Sequence, residues 1–118
     1  MYGLKPKDID ALMPLRGAHI TQICVGLHDI QFNFHPKRNI SIQGRCELID
    51  ATGQIAQVWE GHTQSGTFRF PELLMSAVCK VVIDSPKSFV LSFDNGMGLR
   101  VVDNSEQYES FSIGNIYV

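Results

Sequence analysis

Apolar and polar residues alternate along much of the chain, and this pattern is typical of half-buried β-strands. Residues 30–34 alternate strictly, and residues 89–93 nearly do. The second run is followed by Asp94, Asn95 and Gly96, which predict a tight hairpin turn because asparagine and glycine tolerate positive φ. We therefore predict a protein built mainly of antiparallel β-strands.

The same order of apolar positions occurs twice, in residues 15–50 and in residues 73–113. The matching pairs are Ile20 with Val78, Ile23 with Val81, Val25 with Ile83, Ile30 with Phe89, Phe32 with Leu91, Phe34 with Phe93, Ile40 with Leu99, and Ile42 with Val101. Each copy opens with a segment that breaks the alternation once, which predicts a bulged strand. We predict two pseudo-repeated β-meanders within a single domain, residues 1–118, with residues 45–49 and 108–113 as their last strands.

A short helix is expected ahead of each meander. Residues 7–15 have apolar side chains at helical spacings, and Asp8 and Asp10 near the start favour a helix N-terminus. Residues 71–75 begin with Pro71, which suits the first position of a helix. The predicted fold class is therefore α+β and mainly antiparallel β, with the two meanders packed as one sheet, a sandwich or an open barrel.

Length, composition and charge argue against several classes of function. The 118 residues are 44% hydrophobic and 19% charged, which fits one compact domain. No apolar stretch is long enough to cross a bilayer, and the first ten residues lack the apolar run of a signal peptide, so we expect a cytoplasmic protein without a membrane partner. The formal net charge is −2 and basic residues are scattered, which argues against a nucleic-acid partner.

Candidate catalytic and metal-binding patterns are weak. Cys24 and His28 are the only close pair of soft ligands, and no second pair accompanies them. Cys46, beside Arg45 and Glu47, is the least improbable nucleophile, although no histidine is adjacent. The three cysteines lie far apart in apolar stretches, which predicts reduced core thiols. We therefore predict no catalytic residue, no metal, no cofactor and no enzymatic activity.

The most distinctive stretch is residues 103–111, which contains three carboxylates, one tyrosine and no basic residue. Residues 1–70 carry seven basic and six acidic side chains, net +1, whereas residues 71–118 carry three and six, net −3. Two interpretations stay open. The side chains cap a turn, or they form an acidic patch that binds a basic partner protein. The candidate contact residues are Asp103, Glu106, Tyr108 and Glu109.

A family resemblance is found at the same place. Residues 91–96, 99–101 and 103–111 resemble the C-terminal signature of small bacterial proteins grouped as a domain of unknown function. Upstream, the pair Leu73 and Leu74 fits the same family, while Cys46 stands where an aromatic residue is expected. The resemblance implies a bacterial origin and the repeated meander, and it transfers no catalytic residue. In size and character such proteins are also similar to toxin-immunity proteins.

These observations lead to two hypotheses for the function, which belong to different classes. The leading hypothesis is a non-enzymatic protein-binding module, with a bacterial toxin-immunity protein as one example, that uses the acidic surface. The alternative is a small-ligand-binding or enzymatic domain with a pocket lined by Trp59, His62 and Tyr108, beside a polar loop at residues 61–66. A homodimer formed through an exposed sheet edge is a further option.

Overall fold

The structure is a computed structural model that describes residues 15–26, 29–35, 38–60, 63–64, 69–85, 87–102 and 111–115. These residues form ten β-strands and a 3-10 helix at Phe70–Leu73. The strands are β1 His19–Val25, β2 Ile30–His35, β3 Arg38–Ile42, β4 Arg45–Ile49, β5 Ile55–Glu60, β6 Thr63–Gln64, β7 Val78–Ser85, β8 Ser88–Phe93, β9 Gly98–Val102 and β10 Phe111–Asn115.

The strands form two antiparallel sheets, which confirms the mainly antiparallel β prediction. The four-stranded sheet has the order β1-β2-β3-β10, and the six-stranded sheet has the order β6-β5-β4-β9-β8-β7. Buried residues of both sheets belong to one hydrophobic cluster. The four-stranded sheet contributes Ile20, Ile30, Phe32, Phe34, Ile40 and Ile42, and the six-stranded sheet contributes Cys46, Leu48, Trp59, Val78, Phe89, Leu91, Phe93, Leu99 and Val101.

The α+β class predicted from the sequence is wrong, because the described residues contain no α-helix. The second predicted helix, residues 71–75, is replaced by the single 3-10 turn Phe70–Leu73. Leu74 already has ψ 137 and leaves the helix, and so short a segment cannot offset the cost of helix nucleation. Of the first predicted helix, only Leu15 lies within the described residues, where it belongs to a 3-10 turn.

The strand that follows each meander belongs to the sheet of the other meander. Strands β1, β2 and β3 form one meander and β7, β8 and β9 form another. Strand β4, which follows the first meander, pairs with β9, whereas β10, which follows the second, pairs with β3. Each sheet is therefore completed by a strand from the other part of the chain, which ties the two layers together. The internal repeat itself stays a prediction.

The first strand of each meander is irregular where the broken alternation predicts a bulge. The register of β1 against β2 shifts between Ile20 and Gln22. That of β7 against β8 shifts between Val78 and Lys80, and a second time between Ile83 and Ser85. Such a bulge bends the strand and turns the next side chains to the opposite face. The bulges predicted from the sequence are therefore confirmed in both strands.

The two sheets meet at a corner where β1 and β7 begin. The Gly17 N–H donates to the Val78 carbonyl at 2.7 Å, and the Met75 N–H donates to the Ile20 carbonyl at 2.8 Å. Gly17 has φ 86 and Met75 has φ 66, so both lie in the left-handed region. Glycine adopts this conformation without strain, whereas methionine does not. Met75 is also 71% exposed, so little packing offsets its strain.

We expect Met75→Gly to raise the free energy of unfolding by about 0.5–1 kcal/mol, because it removes left-handed strain of about 1–2 kcal/mol but adds flexibility to the unfolded chain. Gly17→Ala is expected to lower the same quantity by about 1 kcal/mol through backbone strain alone. An added Cβ there would meet nothing within 4 Å. Urea denaturation measures the free energy of unfolding of both variants. A lower value for Met75→Gly would contradict the prediction and show that the methionine side chain makes a favourable contact.

Candidate functional site

A buried carboxylate lies on the outer face of the six-stranded sheet. Side chains alternate between the two faces of a strand, and Cys46 and Leu48 of β4 point into the core. Glu47 between them therefore points outward, yet it is only 4% exposed. A buried carboxylate requires charged or hydrogen-bonding partners, because desolvation without them is costly.

Each oxygen of Glu47 is held by a different arginine. Arg45 donates through Nη2 to Oε2 at 2.7 Å. Arg100 donates through Nη1 to Oε1 at 3.2 Å. Arg100 lies directly opposite Glu47 in the pairing of β4 with β9, so the sheet register itself brings the two side chains together.

The arginines extend the contacts across five strands. Arg45 also donates to Glu60 on β5 at 2.7 Å, and Arg100 donates to Asp84 on β7 at 2.9 Å. Ser88 on β8 donates its hydroxyl to Asp84. We call these side chains the ion network, and its members are Arg45, Glu47, Glu60, Asp84, Ser88 and Arg100.

The ion network keeps both arginines charged. Hydrogen bonds from Arg45 to Glu60 and Glu47 raise the pKa of the Arg45 guanidinium. Partial burial alone would lower the pKa of Arg100, but its hydrogen bond to Glu47 and the charges of Asp84 and Glu47 outweigh burial and raise it. Because both Glu47 oxygens already accept hydrogen bonds, the network is better suited to fixing the sheet than to proton transfer.

The residues predicted to line a ligand pocket are not brought together in the described part of the chain. Trp59 is 2% exposed and pairs with Cys46 on the inner face of the sheet, so its indole belongs to the core. His62 and Tyr108 lie outside the described residues. The predicted partner-binding residues Asp103, Glu106, Tyr108 and Glu109 lie outside them as well.

The three cysteines occupy different environments, and all are free. Cys46 is buried, and burial raises the pKa of its thiol, which suppresses the reactive thiolate. Its interpretation as the least improbable nucleophile is therefore wrong. The core-thiol prediction holds for Cys46, whereas Cys24 is half-buried and Cys79 is exposed. Cys79 lies at the first bulge of β7, between Val78 and Lys80, where flanking residues no longer indicate which face a side chain occupies.

The end of β9 lies beside two members of the ion network. Val102, the last residue of β9, pairs with Arg45 on one side and with Ser88 on the other. β9 therefore ends next to these two members of the network. The sequence places Arg45 two residues before Glu47, but it gives no signal that Arg100 is the second partner of Glu47. That contact depends on the pairing of two strands far apart in the chain.

Comparison with family models, with curated proteins and with solved structures finds no match. Within the described ranges, no helix has the length and apolar character needed to cross a membrane. The same ranges contain no group of three or more histidine, cysteine or carboxylate side chains that could hold a metal ion. Function is therefore inferred from the residues and contacts of the chain itself.

Proposed function

We propose that the protein is a non-enzymatic binding module whose acidic segment, residues 103–109, binds a basic partner protein. The toxin-immunity proteins of bacteria are the class that this chemistry fits best, since they bind and cover another protein without reacting. The observation that carries the proposal is the position of Val102, the residue directly before this segment in the sequence, which pairs with Arg45 on one side and with Ser88 on the other.

The charges of the ion network support this assignment. Arg45 is engaged by Glu47 and Glu60, and Arg100 by Glu47 and Asp84. These two arginines therefore already have carboxylate partners within the sheet. Residues 103–109 contain three further carboxylates and no basic residue, so this segment has a formal charge of −3. A local excess of negative charge attracts a basic surface and speeds its association.

Several observations favour binding over catalysis. Both oxygens of Glu47 are occupied, and the thiol of Cys46 is buried with a raised pKa. The ligand-pocket alternative requires an accessible indole, but Trp59 lies in the core. Free thiols at Cys24, Cys46 and Cys79 suit the reducing cytoplasm, which we include in the proposal.

The test begins with affinity capture by the tagged protein from a lysate of the source organism, followed by purification of any basic protein retained. The double variant Glu106→Lys, Glu109→Lys is expected to weaken binding of that protein about 100-fold, if each reversal costs about 1.4 kcal/mol. Binding by the unmodified protein should weaken as salt is raised, whereas the residual binding of the double variant should depend less on salt.

Glu72→Lys provides the matched control for Glu106→Lys. Glu72 is exposed, and its carbonyl accepts a hydrogen bond from Asn95 in the β8–β9 turn, at the end of the sheet away from Val102. The control should leave the affinity within about twofold, since distant surface charges are screened. Equal weakening by Glu72→Lys and Glu106→Lys, or a partner that both bind as tightly as the unmodified protein, would contradict the acidic-segment proposal.

A further inference from the structure

The outer edge of β7 is unpaired along most of its length in the described part of the structure. β7 is the last strand of the six-stranded sheet and pairs only with β8. Its first residue, Val78, is occupied on the other side by hydrogen bonds with Gly17 and Ala18. From Lys80 onward, no other described strand pairs with this edge. An open edge of this kind is a template for further strand pairing.

Charges of opposite sign flank the middle of this edge. Lys80 and Val82 lie on the outer face, because they pair with Ser92 and Val90. Asp84 contacts Arg100 and therefore lies on the same face, although it stands at a second register shift of β7 against β8, between Ile83 and Ser85. Val82 is midway between the lysine and the aspartate. The sequence of the edge is thus complementary in charge to itself when read in the opposite direction.

We propose that two copies of the chain join by antiparallel pairing of their β7 strands about a two-fold axis at Val82. Lys80 of each copy then lies opposite Asp84 of the other, and the two Val82 side chains meet at the axis. On the inner face, Val81 lies opposite the second copy's Ile83, which is 37% exposed in the single chain. The pairing joins the two six-stranded sheets into one continuous sheet.

The charges also select the register. Moving the axis to Lys80 would place two lysines opposite each other, and moving it to Asp84 would place two aspartates opposite each other. Both arrangements are destabilising. A lysine on an edge strand usually prevents pairing with other sheets. Here Lys80 disfavours pairing with edge strands that place no carboxylate opposite it, and favours pairing with a second copy, which places Asp84 there. Charge therefore determines which edge is paired.

The carboxylate of Asp84 can contact Arg100 of its own chain and Lys80 of the second copy at the same time. A carboxylate can accept about four hydrogen bonds. Asp84 accepts one from Ser88 and one from Arg100, and its side chain is 31% exposed. The proposal does not depend on the basic partner protein, since residues 103–109 take no part in it.

Sedimentation equilibrium of the purified protein tests the pairing. We expect the unmodified chain to dimerise, and Lys80→Glu and Asp84→Lys each to raise the dimer dissociation constant at least tenfold. An equimolar mixture of the two variants should dimerise again, because the introduced glutamate of one copy then faces the introduced lysine of the other, and the remaining Asp84 faces the remaining Lys80. A monomeric unmodified chain, or a mixture that stays monomeric although circular dichroism shows both variants folded, would overturn the proposal.

A cross-linking variant covers the case in which Asp84→Lys unfolds the protein through loss of the Arg100 contact. Val82→Cys, in a background with Cys24→Ser and Cys79→Ser, places two thiols across the axis at about 4.5–5.5 Å between Cβ atoms. Mild oxidation should link most of the protein into covalent dimers. Val90→Cys on β8, one strand further in, is the matched control and should stay monomeric. Equal cross-linking of both variants would overturn the assignment to β7.

Discussion

Replacing Trp59 by alanine is expected to lower the free energy of unfolding by about 3–5 kcal/mol. The indole is 2% exposed and belongs to the buried cluster shared by both sheets. Its removal leaves a cavity that the paired strands β4 and β5 cannot close, because the main-chain hydrogen bonds hold them in place. Urea denaturation followed by circular dichroism measures the change without needing tryptophan fluorescence.

Trp59→Phe is the control, because it keeps an aromatic ring in the core and should cost clearly less than the alanine variant. The same pair of variants distinguishes the two functions considered for the chain. A tryptophan that lines an open ligand pocket contributes little to stability, so a loss below about 1 kcal/mol in Trp59→Ala would contradict the core assignment and revive the ligand-pocket hypothesis.

Features that depend on neighbouring residues could be predicted from the sequence. Strict alternation at residues 30–34 corresponds to β2, and the turn signal at Asp94 to Gly96 corresponds to the β8–β9 turn, where Gly96 has φ 88. The break in alternation identified the bulge near Ile20 and that near Val78. Each of these features can be recognised from a few adjacent residues, because it requires particular residue types at those positions.

Features that depend on distant residues could not be predicted. The predicted helix at residues 71–75 satisfied the local rules, but Met75 instead donates its N–H to Ile20 on β1. The exchange of β4 and β10 between the sheets places Glu47 opposite Arg100, and nothing in the alternation of either strand indicates which strand it pairs with. The ion network was missed for the same reason, because its strands come from two separate parts of the sequence.

Replacing Glu47 by alanine is expected to lower the free energy of unfolding by about 2–4 kcal/mol. Loss of one member of a buried ion pair costs about 3–5 kcal/mol, because the remaining charge is left unpaired. The expected loss is smaller here because Arg45 keeps its contact with Glu60 and Arg100 keeps its contact with Asp84. The two arginine side chains are also 31% and 34% exposed, so water partly solvates them. Urea denaturation at neutral pH and moderate salt measures the loss.

Two further variants separate the charge of Glu47 from its buried position. Glu47→Gln keeps the shape and one acceptor and should cost roughly half as much. Glu60→Gln removes the carboxylate of a side chain that is 52% exposed and should cost less than about 1 kcal/mol. If Glu47→Ala proves neutral, the contacts of Arg45 with Glu60 and of Arg100 with Asp84 are sufficient for the two guanidinium groups, and the stabilising role assigned to Glu47 is wrong.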